Sequence, residues 1–489
     1  MLLKELAKII NIKSLPPNQK NFLIKGITED SRQVKPGYLF AAIKGDKIDG
    51  NKFIDAAVRN GAVAVISSKK IYRKDPGVAY IEHKNPRQAL VVVAEKFFGD
   101  QPEYITAVTG TNGKTSTVDF CRQIWTQLGI KAASIGTIGV VRGNNMVESE
   151  SSMTTPGAVE MHQLLYNLKK DGVNNLAMEA SSHGLQQSRL AGVKVKVGAF
   201  TNLSRDHLDY HKTMKEYFAA KMQLFSGIMA KGSIAIINAD IEEFKEIQKI
   251  CNARKHKIIS YGKKGEDITL LKVIPTADGQ EIQFSIGKKK YKTAIPVFGD
   301  FQASNLLCAI GMVMSSGISA DKIVKILPKL RSVPGRMEKA GVTKRGGHIY
   351  IDYAHTPDAL EKAIKNFTLH LEKGGKIHTL FGCGGDRDAG KRPIMGKIAD
   401  KLSDYVIVTD DNPRTEKAAS IRKQIMAACK NAEEVGDRKK AINYAVSRLK
   451  KNDILIIAGK GHEKYQIIGN KKLPFDEVKI VKAAIKKSI

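Results

Sequence analysis

The segment ITAVTGTNGKTS holds the residues best suited to chemistry. An apolar, strand-like run leads into Gly110, Thr111, Asn112, Gly113, Lys114, Thr115 and Ser116. A helical pattern follows, with Val118, Cys121, Trp125 and Leu128 at three- to four-residue spacing and a stop at Gly129. Glycines let backbone N–H groups close around phosphate oxygens, and a helix N-terminus adds about half a positive charge. A lysine at this point reaches terminal phosphates, and the neighbouring hydroxyl can ligate Mg²⁺. The longer G-x-x-x-x-G-K-[ST] pattern is not met in full, because Val108 stands where its first glycine belongs. The shortened form still points to a bound nucleoside triphosphate.

Other reactive side chains follow apolar runs in the same way. Glu179 closes NLAME, His207 lies in TNLSRDHLDYH, and DDNPR follows DYVIVT. Beyond the carboxyl ends of strands is where open α/β sheets bind ligands. Carboxylate and neutral imidazole both suit Mg²⁺-assisted phosphoryl chemistry, although imidazole prefers softer metals. Taken singly, some of these residues have plainer readings. A lone histidine is more often structural, and Lys221 in YFAAKMQLF reads as a solvated helix lysine.

The elements that must position these groups are short β-rich runs alternating with helical patterns, which predicts an α/β chain with mainly parallel sheets. The 489 residues suggest two to four domains. A block over residues 1–102 carries GYLFAAIKG and GAVAVIS as strands, with a helix between them ending at Gly61. A second block spans 103–332, up to the Pro334–Gly335 break, and a third spans 333–489 with four strands that each run into a polar or Gly-rich loop. Hydrophobic residues make up 42% and charged residues 26%, which excludes wholesale disorder. No apolar run approaches the roughly 18 residues of a membrane span. The N-terminal stretch, broken by Lys4, Glu5 and Lys8, lacks the pattern of a signal peptide. Five scattered cysteines without CxxC spacing argue against disulfides and zinc. A cytoplasmic location is expected. The net charge of +31 would by itself suggest nucleic acid, but the lysines are spread along the chain rather than clustered, which fits anionic substrates better.

With T-G-T-N-G-K-T, MEASSHGLQQSR, TNLSRDHLDYH and DDNPR in hand, the chain resembles the Mur ligases over essentially its whole length. The resemblance implies three domains: an N-terminal UDP-binding α/β domain (1–102), a central P-loop ATPase domain (103–332), and a C-terminal Rossmann-like domain (333–489) that brings the amino acid. It implies ATP and Mg²⁺ as cofactors. The implied reaction joins meso-2,6-diaminopimelate to UDP-N-acetylmuramoyl-L-alanyl-D-glutamate with release of ADP.

The resemblance also implies roles for single residues. Lys114, Glu179, His207 and Lys221 would be catalytic. Thr115, Glu179, His207 and Lys221, the last as a carbamate formed with CO₂, would hold the metal. Asn305, Arg336 and Asp352 would join the phosphate loop around ATP. Ser31, Thr154, Thr155, Ser181, Gln187 and Arg189 would hold the UDP-sugar peptide. Arg387, Asp411, Asn412, Pro413, Arg414, Gly459 and Glu463 would hold diaminopimelate. An arginine can grip the distal carboxylate that diaminopimelate has and lysine lacks. The chain is expected to act as a monomer, without nucleic acid and without a membrane span. Two other readings stay open on sequence: a related ligase with another acceptor, such as L-lysine or D-Ala-D-Ala, and a P-loop ATPase stimulated by nucleic acid.

Overall fold

The computed structural model describes residues 1–12, 15–45, 48–72, 75–147, 153–276 and 279–487. Asp46, Lys47, Arg73 and Lys74 of the first block, and Ser488 and Ile489, lie outside these.

The first sheet is parallel, ordered β1 (Gly26–Thr28), β2 (Tyr38–Ala42), β3 (Ala62–Ser67), β4 (Ala79–Glu82). Strand β5 (Tyr104–Thr109) opens the large sheet. This sheet continues with β6 (Ala132–Gly136), β7 (Gly139–Arg142), β8 (Asn145–Val147), β9 (Asn175–Glu179), β10 (Val195–Phe200), β11 (Ile234–Asn238), β12 (Lys257–Gly262), β13 (Ile268–Thr276), β14 (Gly279–Ile286) and β15 (Lys289–Ile295). Its spatial order is 15-14-13-12-11-10-5-9-6-7-8. Both neighbours of β5, namely β9 and β10, run parallel to it, so three carboxyl ends open on the same edge. These strands are buried on both faces, one packing against Trp125, Leu306 and Ile310, the other against Leu165, Phe218 and Phe225.

The sheets are mainly parallel, as expected, but the large one also carries antiparallel arms. The pairs β13/β14, β14/β15, β6/β7 and β7/β8 are antiparallel, so the large sheet is mixed. Hairpin connections suffice for such pairs, with no crossover helix to announce them in the sequence. The basic segment GKKKYK is edge strand β15, where exposed lysines discourage pairing with another chain.

The last sheet runs β16 (Glu338–Val342), β17 (His348–Asp352), β21 (Ile454–Ala458), β18 (Ile377–Phe381), β19 (Tyr405–Val408), β20 (Ala432–Glu434), and all pairs except β16/β17 are parallel. The four strands expected in this block are β17, β18, β19 and β21, and their carboxyl ends carry the polar loops. No helix among the described residues is long and apolar enough to cross a membrane.

Candidate active site

The phosphate loop joins β5 to the helix Lys114–Gln127. Gly110 (φ +142°) and Gly113 (φ +87°) allow its turn, and neither has room for a side chain. A Cβ on Gly110 would stand 2.0 Å from Thr201 Oγ1, and one on Gly113 would stand 2.2 Å from Asn305 Oδ1. The loop is braced from β10: Thr111 N donates to Asn202 O (2.8 Å), Asn112 N to Asn202 Oδ1 (2.9 Å), and Thr201 Oγ1 to Asn112 O (2.6 Å). The first N–H groups of the helix have no partner within it. Gly113→Ala should therefore raise the KM for ATP roughly 10- to 100-fold, from about 1–3 kcal/mol of backbone strain plus the Asn305 clash. Nucleotide titration checks this, and unchanged ATP affinity would contradict the loop assignment.

Lys221 lies on the helix Met214–Gln223, which Thr213 caps by accepting from Glu216 N (3.2 Å). A π turn, Leu224–Ile228, follows. The side chain is 1% exposed, so the solvated-lysine reading fails. Its Nζ donates to Gly110 O (2.8 Å) and sits 4.1 Å above the Tyr217 ring. Lys114 Nζ donates to the same carbonyl (2.9 Å) and to Thr111 O (2.7 Å). Two lysine nitrogens thus share one oxygen. Burial, and then Lys114, push the Lys221 amine well below the ordinary lysine range, against the pull of Asp206. Burial also lowers Lys114, with Arg336 adding to it and Glu179 and Asp206 opposing.

Glu179 ends β9 and is 1% exposed. Thr137 N donates to its Oε1 (2.8 Å) and Thr137 Oγ1 to its Oε2 (3.1 Å), while a Cβ on Gly136 would stand 2.2 Å from Oε1. Thr154 and Thr155 gather around the same strand end. Thr154 Oγ1 is 3.1 Å from Thr137 Oγ1, and Thr155 Oγ1 is 2.9 Å from Ser181 Oγ. His207 is a non-glycine residue at φ +54°, the kind of strained backbone that clusters at functional sites. Desolvation pushes its imidazole down to about 4, with Lys114, Lys221 and His355 adding to the effect and Asp206 opposing it. It is neutral at pH 7. Burial alone would raise Asp206, but His207, His355, Lys391 and Lys114 outweigh it and the carboxyl falls below its usual value.

The donor chemistry suits Mg²⁺ in part. Glu179 and Thr115 supply hard oxygens and His207 a neutral nitrogen. No group of three His, Cys, Asp or Glu side chains among the described residues is placed to hold an ion.

A cleft of about 600 Å³ lies between the phosphate loop and the last sheet. Asn305, Arg336 and Asp352 all line it. Arg336 Nη2 donates to Thr115 Oγ1 (3.1 Å), and its guanidinium lies 4.5 Å from the Tyr353 ring centre. Asp352 accepts from Met337 N (2.7 Å) and Ala354 N (2.8 Å), and burial raises its carboxyl despite Arg336 and those N–H groups. Asn112 Nδ2 donates across the cleft to Asp358 Oδ2 (3.0 Å).

Gln187 and Arg189 line a second cleft, of about 390 Å³, with Glu29, Ile43 and Arg87 from the first block. Arg189 is fixed by Gln187 Oε1 (2.6 Å) and Thr155 O (2.8 Å). Ser31 does not line that cleft. It is buried in the one-turn helix Ser31–Gln33, with its carbonyl accepting from Asn60 Nδ2 (2.9 Å).

The loops after β18, β19 and β21 bring together the third set. A Cβ on Gly384 would stand 2.8 Å from Arg414 Nη1 and 3.9 Å from Arg387 Cγ, so both arginines flank this glycine. Arg414 Nη1 donates to Gly385 O (2.8 Å). A Cβ on Gly385 would stand 2.0 Å from Pro413 O, so these two loops meet at backbone distance. Asn412 Nδ2 donates to Glu463 Oε2 (2.9 Å), and Gly459 (φ +117°) packs beside Asp411. Arg387 is exposed and Asp411 buried.

Several side chains in these sites were not singled out from the sequence: Thr137, Asn202, Asp206, Tyr353, His355 and Lys460. Asn202, Asp206, Tyr353, His355 and Lys460 sit inside segments that were read, so proximity to the recognised residues was the available signal. Thr137 had none.

Comparison with known proteins accords with this geometry. Residues 23–108 match the model "Mur ligase family, catalytic domain", 108–313 "Mur ligase middle domain", and 335–461 "Mur ligase, glutamate ligase domain". A relative from Brucella melitensis biotype 1, named UDP-N-acetylmuramoyl-L-alanyl-D-glutamate–2,6-diaminopimelate ligase, is 46% identical over 99% of this chain and 98% of its own. The chain belongs to the Mur ligase family. A Mur ligase of the same name from Zymomonas mobilis is 44% identical over 99% of both chains. A solved structure with that name shares 31% identity at a TM-score of 0.70, covering 99% of both chains. The fold is also that of the MurF ligase from Thermotoga maritima, solved in complex with ADP (21% identity, TM-score 0.66, covering 96% of this chain and 99% of that one). The Mur ligase architecture accounts for the three large sheets among the described residues, one within each matched domain.

Proposed function

We propose that the chain is an ATP-dependent, ADP-forming ligase that adds meso-2,6-diaminopimelate to UDP-N-acetylmuramoyl-L-alanyl-D-glutamate in peptidoglycan precursor synthesis, in the cytoplasm and as a monomer. Residues 1–102 bind the UDP-sugar with Ser31, residues 103–332 carry the phosphoryl chemistry, and residues 333–489 bring the amino acid. The relatives named above support the substrates. The single observation that carries the chemistry is Lys221, buried beside Lys114 on the Gly110 carbonyl.

A carboxylate does not accept an amine at neutral pH. The γ-phosphoryl group of ATP first converts the D-glutamyl carboxylate to an acyl phosphate. The amine attacks that carbonyl, a tetrahedral intermediate forms, and phosphate leaves. Lys114, the loop N–H groups and Arg336 face the phosphates and offset the charge that builds up during transfer. Asn305 and Asp352 hold the nucleotide's side of the cleft. Thr154, Thr155, Ser181, Gln187 and Arg189 hold the muramoyl peptide so that its carboxylate meets the phosphate loop. Arg387, Asp411, Asn412, Pro413, Arg414, Gly459 and Glu463 present the amino acid from the opposite wall. Thr115, Glu179, His207 and carbamylated Lys221 would hold Mg²⁺, which supplies further neutralisation at the transferring group. A neutral Lys221 amine is the form able to take up CO₂, and its depressed pKa supports that modification.

ADP and phosphate should form only when the UDP-dipeptide and diaminopimelate are both present with ATP and Mg²⁺. ATP turnover that depends instead on DNA or RNA would contradict the ligase reading.

A further inference from the structure

Lys460 stands at the centre of the loop cluster after β21, and no role has been assigned to it so far. Its side chain is completely buried (0% exposed). The Nζ donates to Asn412 Oδ1 (3.0 Å) and Glu463 Oε2 (3.0 Å), and lies 3.7 Å from Asp411 Oδ1 and 5.7 Å from the Tyr465 ring centre. Three of these four neighbours belong to the proposed amino-acid pocket. A buried charge is a poor device for stability alone, since an apolar side chain of like volume often serves as well or better.

The geometry shows what Lys460 arranges. Asn412 could present its amide either way round. With Oδ1 accepting from Lys460 Nζ and from Ile467 N (2.9 Å), its Nδ2 must face Glu463 Oε2 (2.9 Å). Glu463 is thereby held from two sides. Asp411 Oδ1, 3.7 Å from the same ammonium, is buried without a hydrogen bond among the described residues, which leaves one acceptor of the pocket open.

We infer that Lys460 is a positioning residue for the incoming amino acid. It locks the Asn412 amide and the Glu463 carboxylate in their substrate-facing orientation. The inference rests on the pocket assignment made under the proposed function.

Steady-state kinetics on the full-length protein test it, using wild type, Lys460→Gln, Lys460→Met, Glu463→Gln, and Glu463→Gln combined with each Lys460 substitution. Lys460→Met should raise the KM for diaminopimelate about 30-fold or more, as expected when one member of a buried charge pair is removed, with the ATP KM within about threefold. Lys460→Gln keeps a donor and should fall between wild type and Met. In the Glu463→Gln background each Lys460 substitution should cost several-fold less than alone, because the two residues act together. Should Lys460→Met fail to fold, as judged by thermal melting, the Gln variant and its double mutant decide. Parallel shifts in ATP and amino-acid KM, or effects that simply multiply in the double variants, would overturn the positioning role while leaving the ligase reading intact. A wild type that joins no amino acid would instead overturn the ligase reading, and this inference with it.

Discussion

Lys221→Ala should lower kcat by about 10³-fold or more, the scale lost when a charge-stabilising group at a reacting centre is removed. Lys221→Met should lose as much activity while melting no lower than wild type. It keeps the volume of a side chain that is 1% exposed and removes a cation crowded by Lys114. Equal activity loss in the two variants with different melting behaviour separates chemistry from packing. The modification itself has a spectroscopic readout, because isotope-labelled bicarbonate should give a carbamate carbon signal in wild type and none in either variant. The pH sign follows from the depressed amine. Below its lowered pKa the folded chain carries a buried ammonium, a cost to stability that fades as pH rises toward the ordinary lysine value of 10.5. The neutral amine, and hence the carbamate, is therefore lost on acidification. Activity falling at acid pH should recover with added bicarbonate. Near-wild-type turnover by Lys221→Ala would refute the carbamate assignment.

Arg414→Ala should reduce kcat/KM for diaminopimelate by roughly 10²- to 10³-fold, about 3–4 kcal/mol, the scale lost when one partner of a hydrogen-bonded charge pair is truncated. Arg414 holds φ +51°, and its Nη1 is tied to Gly385 O, which fixes the guanidinium beside Gly384 rather than leaving it free to sweep solvent. The fork is thereby ready for a planar carboxylate. Lysine has no distal carboxylate, so its use should change far less and the preference for diaminopimelate should narrow. The ATP KM should stay near wild type, since Arg414 does not line the nucleotide cleft. Equal losses toward ATP and amino acid would remove its specificity role.

What the sequence made legible was chemistry placed close together in the chain. TGTNGKT needs only a strand before it and a helix after it, and both are where the pattern put them. The polar ends of β9, β10, β17, β18, β19 and β21 could be read because each follows a run of buried residues. Contacts distant in sequence were not legible. Lys221 is 111 residues from the carbonyl it bonds, so nothing in YFAAKMQLF distinguishes it from a surface lysine. Lys460 lies inside a recognised motif, yet its burial depends on Asp411 and Asn412 from another strand end. The antiparallel arm β13–β15 went unread even though Ile282, Phe284 and Ile286 alternate with polar residues along β14; only in β15 do Lys289, Lys290 and Lys292 obscure the pattern. The cleft against Arg189 is lined by Glu29, two residues before Ser31, and by Arg87, and no local pattern links Arg87 to that stretch.

The most direct test supplies the purified protein with ATP, Mg²⁺, the UDP-linked dipeptide, and equal amounts of diaminopimelate and lysine, then reads product mass. A single new species heavier by one diaminopimelate residue, formed together with ADP, is the expected result. A product carrying lysine would contradict the specificity assigned to Arg414. A sugar peptide left at its starting mass would contradict the ligase chemistry as a whole.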